Sequence, residues 1–298
     1  MQTSEHDSDL GRWPAVWRGA AAPLASFVTA YFGSESLLPE ALRERHLPSF
    51  SVSLVINFAA PHRFLGRDGA DASSRERAWI VGVQDAWRLA EAMGEREFLI
   101  AQLTPRGAHH ILRERMDLIS GRIVDLDAID AGFARSLLAR VDAAAGWGAR
   151  IEALEAALIE RLSIRAAEPS LASATLASLR AGEGDIGALA RAFGRSHRRL
   201  IAAFRDEIGL TPKGVARLLR FERALEAINR GRETDYPSGK PYLDRSGDSA
   251  RHGSRSSQWS DLALACGFYD QSHFINEFRA FSGETPESFR RRLAEAAV

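Results

Sequence analysis

Apolar and polar residues alternate in the first third of the chain with the two-residue period of β-strands. In the segment 51–58 (SVSLVINF) this period places four apolar side chains on one face, those of Val52, Leu54, Ile56 and Phe58. The apolar runs 79–83 and 98–103 are short and bounded by polar residues, which also indicates strands. The N-terminal region is therefore predicted to be β-rich, with a half-buried strand at 51–58 and a polar loop at 66–77.

The period changes to that of α-helices after residue 123. Apolar residues recur three and four positions apart in two segments, first at Phe133, Leu137, Leu138 and Val141, then at Ile151, Leu154, Leu158 and Leu162. A short helix is predicted after the break at 104–107 (TPRG), and most of the chain beyond 184 has helical spacing. The predicted fold class is α+β: a β-rich N-terminal domain that ends in helices, followed by an all-α C-terminal domain.

One polar segment interrupts the helical pattern. Residues 233–257 contain six Ser, three Gly and two Pro, and their four positive and four negative charges cancel. Such a stretch cannot bury enough apolar surface to offset the entropy lost on ordering. We therefore predict a mobile insert at 233–257, and we expect domains over 1–165 and 170–298.

The overall composition excludes several classes of protein. The 298 residues include 39 Lys and Arg and 39 Asp and Glu. The chain therefore lacks the strongly basic composition that would by itself indicate nucleic-acid binding. Cys266 is the only cysteine, which excludes an intramolecular disulfide and a multi-cysteine zinc site. No run reaches the ~18 apolar residues of a membrane span. The first 13 residues are acidic and polar, unlike a signal peptide, so we expect a cytoplasmic protein without membrane contact.

The most informative feature is an internal repeat. Residues 189–212 (LARAFGRSHRRLIAAFRDEIGLTP) and 262–286 (LALACGFYDQSHFINEFRAFSGETP) share nine identities over 24 aligned positions, with one residue inserted in the second copy. Each copy has a small Ala in a first helix and a Gly at a turn. Each then has a capping residue, Ser196 or Asp270, before a second helix. Two short helices joined by such a turn predict a helix-turn-helix in each copy.

The spacing of apolar residues assigns an inward and an outward face to each second helix. Leu200 with Phe204, and Phe274 with Phe278, are four residues apart and should point inward. The outward positions carry side chains that can bind base edges or phosphates. These candidate DNA-binding residues are Ser196, Arg198, Arg199 and Arg205 in the first unit, and Gln271, Ser272, His273, Asn276 and Arg279 in the second.

At these residues the chain resembles the AraC/XylS family of transcription regulators, whose DNA-binding module has two helix-turn-helix units joined by a helix. The second unit matches the family pattern in its GF after the first helix, its DxSHF, its FR and its G-x-TP ending, and residues 215–231 resemble the connecting helix. The resemblance covers about 183–292. It implies sequence-specific binding of double-stranded DNA, with recognition helices at about 196–206 and 271–280 in successive major grooves. Ala202 departs from the family, which usually has a basic residue there.

The N-terminal part is similar, more weakly, to a sensor-type domain of some members of that family. The similarity lies in Leu47-Pro48, Gly82-Val83, the segment 102–108 (QLTPRGA), and Trp147 leading into Arg150. It implies a regulatory domain that takes a small-molecule effector. Helix 149–163 has two open interpretations, a homodimer contact or packing against its own domain.

Other chemistry is not supported by the sequence. Neighbouring His109 and His110 diverge on a helix, and no ligand spacing connects them with His46 or His62, so no metal is expected. Cys266 occupies an inward position of a helix, which favours an inert buried thiol. No catalytic set is present, and we expect neither enzymatic activity nor a cofactor. The alternatives are a small-molecule-binding or enzymatic N-terminal domain with the helical part as an adaptor, and a protein-interaction module that has lost DNA binding.

Overall fold

The structure is a computed structural model, and it describes residues 2–8, 11–65, 72–162, 170–181, 186–192, 194, 196–229 and 255–295. The described N-terminal region is β-rich and the described C-terminal region is helical, as predicted. Nine strands form one antiparallel sheet: β1 Gln2–Ser8, β2 Gly11–Gly19, β3 Val28–His46, β4 Val52–Asn57, β5 His62–Leu65, β6 Ala72–Arg75, β7 Ala78–Val81, β8 Arg88–Leu103 and β9 Ile123–Asp125.

The long strand β8 is central to the sheet and has neighbours on both edges. One edge of β8 pairs with β3 along almost its whole length, from Val28↔Leu103 to His46↔Arg88. The other edge pairs with β4 at one end and with β5 at the other. Strand β8 therefore joins β3, β4 and β5, and side chains of β4, β5, β7 and β8 line one cavity.

The strand predicted at 51–58 is present as β4, but it is not half-buried. Val52, Leu54 and Ile56 are fully buried in the main core, as the alternation predicts. Their neighbours Ser53 and Val55 are also buried, because the second face of β4 belongs to another apolar cluster. In that cluster Val55 packs with Phe64, Trp79 and Ile100. Alternation in one strand distinguishes its two faces, but it does not reveal whether the second face meets solvent.

The prediction of a loop at 66–77 is wrong for residues 72–75. Residues 72–75 form β6, which pairs with β5 from His62↔Arg75 to Leu65↔Ala72. The sequence ASSR has no apolar alternation, and pairing with β5 alone, at the margin of the sheet, orders this strand. The preceding residues 66–71 lie outside the described part of the chain.

Three described helices accompany the sheet: α1 Pro105–Leu112, which lies between β8 and β9, and α2 Leu126–Asp142 and α3 Gly146–Arg161, which follow β9. Thr104 caps α1 by accepting a hydrogen bond from the Gly107 N–H at 3.0 Å. The apolar stripe of α3 (Ile151, Leu154 and Leu158) is fully buried in the core. Packing against its own domain therefore accounts for the stripe.

Seven helices form the C-terminal part: α4 Leu171–Arg180, α5 Ile186–Ala192, α6 His197–Glu207, α7 Pro212–Asn229, α8 Arg255–Ala265, α9 Gln271–Ser282 and α10 Pro286–Glu295. Most of the predicted insert at 233–257 lies outside the described residues. Its last three residues are an exception, because residues 255–257 form the first turn of α8 rather than a loop.

Candidate nucleic-acid interface

Helices α5 and α6 form the first predicted unit. Between them Gly194 has φ 60°, the left-handed conformation that glycine adopts most readily. Ser196 caps α6 by accepting a hydrogen bond from the Arg199 N–H at 3.3 Å. Leu200 and Phe204 are fully buried, and Ala190 of α5 is 3% exposed. The inward face predicted for this unit is therefore confirmed.

Helices α8 and α9 repeat the arrangement. Gly267 at the turn has φ 84°, and Asp270 caps α9 by accepting a hydrogen bond from the His273 N–H at 2.7 Å. Ala263, Phe274 and Phe278 are fully buried. The two copies of the sequence repeat are thus two copies of one local structure, joined through α7.

A group of aromatic rings holds the second unit to its neighbours. The ring of Phe278 lies 5.7 Å from that of Phe274 in the same helix, 5.2 Å from Phe221 of α7 and 5.5 Å from Phe289 of α10. All four side chains are fully buried. The orientation of α9 therefore depends on both the helix before this unit and the helix after it.

The outward faces of the two second helices are accessible. Seven of the nine candidate DNA-binding residues are exposed: Ser196, Arg198, Arg199, Arg205, Ser272, Asn276 and Arg279. Ala202 is exposed on the same side of α6. None of these seven residues is covered by the β-rich part, so a duplex could reach both helices.

The other two candidates, Gln271 and His273, are partly buried and have local partners. The Gln271 Oε1 accepts a hydrogen bond from the Ser260 hydroxyl at 2.8 Å. The His273 Nδ1 accepts one from the Tyr269 N–H at 3.3 Å, and its ring packs against Phe268. These contacts orient the start of α9, and a role of either side chain in DNA binding stays a prediction.

Sequence reasoning missed an exposed aromatic residue at the same place. Tyr269 directly precedes the cap of α9 and its side chain is 85% exposed. The repeat pattern does not single out Tyr269, because this residue lies in the turn between the inward positions of the two helices. A large exposed ring at the start of α9 extends the accessible face of the second unit.

Residues 252–291 match the family model described as bacterial regulatory helix-turn-helix proteins, AraC family. The matched segment contains all of α8 and α9, and the first unit repeats their geometry. The protein is a DNA-binding transcription regulator with an AraC-type helix-turn-helix domain at 252–291. Within this domain, α9 is capped at its start and exposes its outward face.

Solved structures give only distant similarities. Unsaturated fatty acid-bound wild-type ToxT from Vibrio cholerae is 8% identical, with a TM-score of 0.45, over 90% of this chain and 97% of that one. Oxalate decarboxylase from Bacillus subtilis at pH 4.6 is 14% identical, with a TM-score of 0.25, over 34% of this chain and 27% of that one. At these values neither structure informs the function of this protein. None of the curated proteins matches the sequence.

The β-rich part of the protein contacts the helical part at the end of α9. The backbone N–H of Trp87 donates to the backbone carbonyl of Phe281 at 3.1 Å. The Arg45 guanidinium binds the Glu284 carboxylate at 3.0 Å. Gly283, with φ 82°, lies so close that a Cβ there would be 2.5 Å from the Trp87 Nε1. A glycine that ends α9 also makes room for this contact.

Two further contacts join the β-rich part to the first unit and to α7. Gly209 ends α6 with φ 92°, and a Cβ there would be 2.8 Å from the Met116 carbonyl oxygen. The Phe50 N–H donates to the Glu222 Oε1 at 2.7 Å. Both helix-turn-helix units and the helix between them are therefore held by the same β-rich part.

The cavity lined by β4, β5, β7 and β8 has aromatic walls. Its lining includes Phe64, Trp79 and Phe98, with the rings of His62 and Trp79 stacked 6.0 Å apart. The indole N–H of Trp79 has no hydrogen-bond partner among the described residues, although the side chain is only 4% exposed. The cavity was not predicted, because its walls come from strands far apart in sequence.

The remaining chemical candidates lie apart from one another. His46 and His62 line the cavity, whereas His109 and His110 are on α1. Across the residues that the structure describes, no three His, Cys, Asp or Glu side chains are arranged to hold a metal ion. Cys266 is buried, as predicted. No described helix has the length and apolar character needed to cross a membrane.

Proposed function

We propose that this protein is a sequence-specific regulator that inserts α6 and α9 into successive major grooves of double-stranded DNA. The observation that carries the proposal is that both helices expose polar and cationic residues, while their opposite faces are buried. Arg198 and Arg199 would bind base edges from α6, and Asn276 would do so from α9. Arg205 and Arg279 would bind phosphates and fix the register. Such a protein acts in the cytoplasm, where its DNA is.

Binding of labelled duplexes to the purified chain at several salt concentrations tests this proposal. Every phosphate that the protein neutralises releases counterions, so the logarithm of the affinity should fall with the logarithm of salt concentration, with a slope of ~0.9 per phosphate. A preferred duplex should also bind more tightly than a random one. Affinity that depends on neither salt nor sequence would contradict the proposal.

The cavity in the β-rich part is proposed as the site of a small-molecule effector with a flat apolar body. The three aromatic walls favour such a body. The unpartnered indole N–H of Trp79 favours a ligand that also carries a hydrogen-bond acceptor, because a buried donor without a partner is costly. Another polar wall residue, Asn57, is already engaged, because its side-chain amide donates to three carbonyl groups.

The cavity and the contacts to the helical part share the same stretches of chain. His46, Ser49 and Arg88 line the cavity, while their neighbours Arg45, Phe50 and Trp87 contact the helical part. A ligand that displaces the wall would therefore act directly on the residues that hold both helix-turn-helix units. This is the proposed route from effector to DNA.

Trp79→Phe is expected to weaken binding of such an effector while it preserves the fold, because the variant keeps the aromatic wall and removes only the N–H. A compound that raises the melting temperature of the wild-type chain should bind the variant about two- to tenfold more weakly, the effect of one lost hydrogen bond. Trp17→Phe is the matched control, since Trp17 is not part of the cavity wall. Equal loss of affinity in both variants would argue against the cavity.

Glu222 is expected to make the stability of the protein depend on pH. Burial raises the pKa of Glu222 to about 7, against the lowering effects of the Phe50 N–H and Arg180; Glu226 adds a raising effect. Between pH 4.5 and about 7, the Glu222 carboxyl therefore keeps its proton in the folded protein, whereas in the unfolded chain it has already lost that proton. The free energy of unfolding should fall by about 2–3 kcal/mol as the pH rises through this range, and then stay level.

Urea unfolding of the wild type and of Glu222→Gln at pH 5 and pH 8 measures this effect. The variant carries no titratable group at 222, so its stability should change less between the two pH values. Lys213→Gln, an exposed change on the same helix, should keep the wild-type dependence. An identical pH dependence in Glu222→Gln and the wild type would show that Glu222 is not the group responsible.

Two expectations stay predictions. Dimerisation through α3 would have to use the face opposite its buried stripe, where Ile159 is 40% exposed, and sedimentation of the purified chain tests it. The absence of enzymatic activity also stays a prediction, and the adaptor hypothesis would require turnover by the β-rich part.

A further inference from the structure

Three arginines lie on one side of α7, close to the turn that precedes α9. Arg217, Arg220 and Arg223 are spaced three residues apart, which keeps them along one side of the helix. A Cβ built on Gly267 would lie 3.6 Å from the Arg220 Cδ and 3.7 Å from the Arg223 Nη1. The arginines therefore adjoin the turn of the second helix-turn-helix unit.

Positive charge exceeds negative charge in this cluster. The Arg217 Nε donates to both oxygens of Glu277 at 3.0 and 2.9 Å, and the Arg220 Nη2 is 3.9 Å from the same carboxylate. Glu277 is thus shared by two guanidinium groups. Asp85 acts on Arg217 from the β-rich part, and His273 faces Glu277 from α9. The Arg223 Nε donates a hydrogen bond to the Leu219 carbonyl at 3.2 Å, which is a neutral group and does not offset the charge of Arg223.

The environment of Arg220 is unfavourable for a cation. Burial, together with the charges of Arg217 and Arg223, lowers the pKa of Arg220, and Glu277 offsets this only in part. The Arg220 Nε is buried and has no hydrogen-bond partner among the described residues. The guanidinium also lies over the Phe268 ring, 5.6 Å from its centre. A buried N–H of a cation without an acceptor is costly, and an anion placed there would remove that cost.

We propose that Arg220 and Arg223 form a phosphate-binding site that holds one backbone phosphate of DNA beside the turn before α9. The guanidinium group matches the geometry of phosphate oxygens. Gly267 is exposed and has no side chain, so the backbone of the turn allows a phosphate to approach both arginines. This inference rests on the proposed function and adds the connecting helix to the surface that positions DNA.

The salt dependence of DNA binding tests the site. Arg220→Gln and Arg223→Gln should each weaken binding by the same factor for preferred and random duplexes, because a phosphate contact carries no base information. Replacing both arginines should reduce the log–log salt slope by ~0.9, the contribution of the one shared phosphate, and each single variant should reduce the slope by a part of that amount. Arg135→Gln, an exposed change on α2, should leave affinity and slope as in the wild type. Melting temperatures of all variants establish that they are folded, and Arg223→Gln serves if loss of the Arg220–Phe268 contact destabilises the other variant.

Unchanged slopes in folded variants would overturn the site and leave the arginines as an internal ion cluster. Stabilisation of the wild type but not of Arg223→Gln by inorganic phosphate, with unchanged DNA slopes, would also overturn it, because the anion would then not be DNA. A wild-type chain without affinity for any duplex would overturn the proposed function itself. A wild type that binds DNA with salt-dependent preference, combined with unchanged variants, removes only this inference.

Discussion

Replacing Phe278 by alanine is expected to unfold the second helix-turn-helix unit, at a cost of ~3–5 kcal/mol in the free energy of unfolding. The side chain is fully buried and its ring is surrounded by those of Phe221, Phe274 and Phe289. Alanine would leave a cavity among rings that belong to three helices, and the cavity cannot close unless these helices shift toward one another. The variant should also lose binding to the half of the DNA site that α9 contacts.

Chemical unfolding followed by far-UV circular dichroism measures the loss, with Arg279→Ala as the matched control. Arg279 follows Phe278 directly and is exposed, so its replacement should change stability by no more than ~0.5 kcal/mol. Similar stabilities for the two variants would contradict the assignment of Phe278 to the inward face.

Replacing Arg198 and Arg199 together by alanine is expected to relax base preference in one half of the DNA site. Each bidentate contact to a base is worth ~1–3 kcal/mol of discrimination, so loss of two contacts should reduce the preference over a mismatched site by a factor of ten or more, on the order of 10–10⁴. Both side chains are exposed on α6, away from the buried Leu200 and Phe204. The double variant should therefore stay folded.

Competition between preferred and single-mismatch duplexes measures this change, and Arg135→Ala is the control because its side chain is exposed on α2. Loss of affinity that is equal for all sequences would reassign the two arginines to phosphates. An unchanged footprint and an unchanged base preference would show that Arg198 and Arg199 of α6 do not contact bases.

The helix-turn-helix units could be predicted because their determinants are local. Caps, turn glycines and inward residues lie within about 25 residues of one another, and each is recognisable from residue type and spacing alone. The capping of α6 by Ser196, the left-handed Gly194 and the burial of Phe204 all follow from that local pattern. The role of Gln271 was less predictable, because its partner Ser260 lies in the preceding helix.

The β-rich part was less predictable because long-range pairing determines it. Strand β3 includes the polar stretch at 43–46, which has no strand pattern of its own and is ordered by pairing with β8. The contacts of Phe50 with Glu222 and of Trp87 with Phe281 join residues far apart in sequence. No local sequence pattern predicts these two contacts.

Two repeated glycines show what the sequence contained but local reasoning could not interpret. Gly209 and Gly283 occupy equivalent positions after the two recognition helices, and their identity contributed to the repeat. In the structure each ends its helix with a positive φ, and each also touches the β-rich part, Gly209 at Met116 and Gly283 at Trp87. The first role follows from residue type, whereas the second requires the packing of the whole chain.

Selection of bound sequences from a pool of random duplexes by the purified full-length chain tests the central claim most directly. Two recognition helices in successive major grooves should select a two-part motif whose halves are one helical turn apart, ~10–10.5 base pairs from centre to centre. Arg198→Ala/Arg199→Ala should erase one half of the motif and leave the other. Absence of any selected motif, or a single half that is indifferent to this double replacement, would contradict DNA reading by both units.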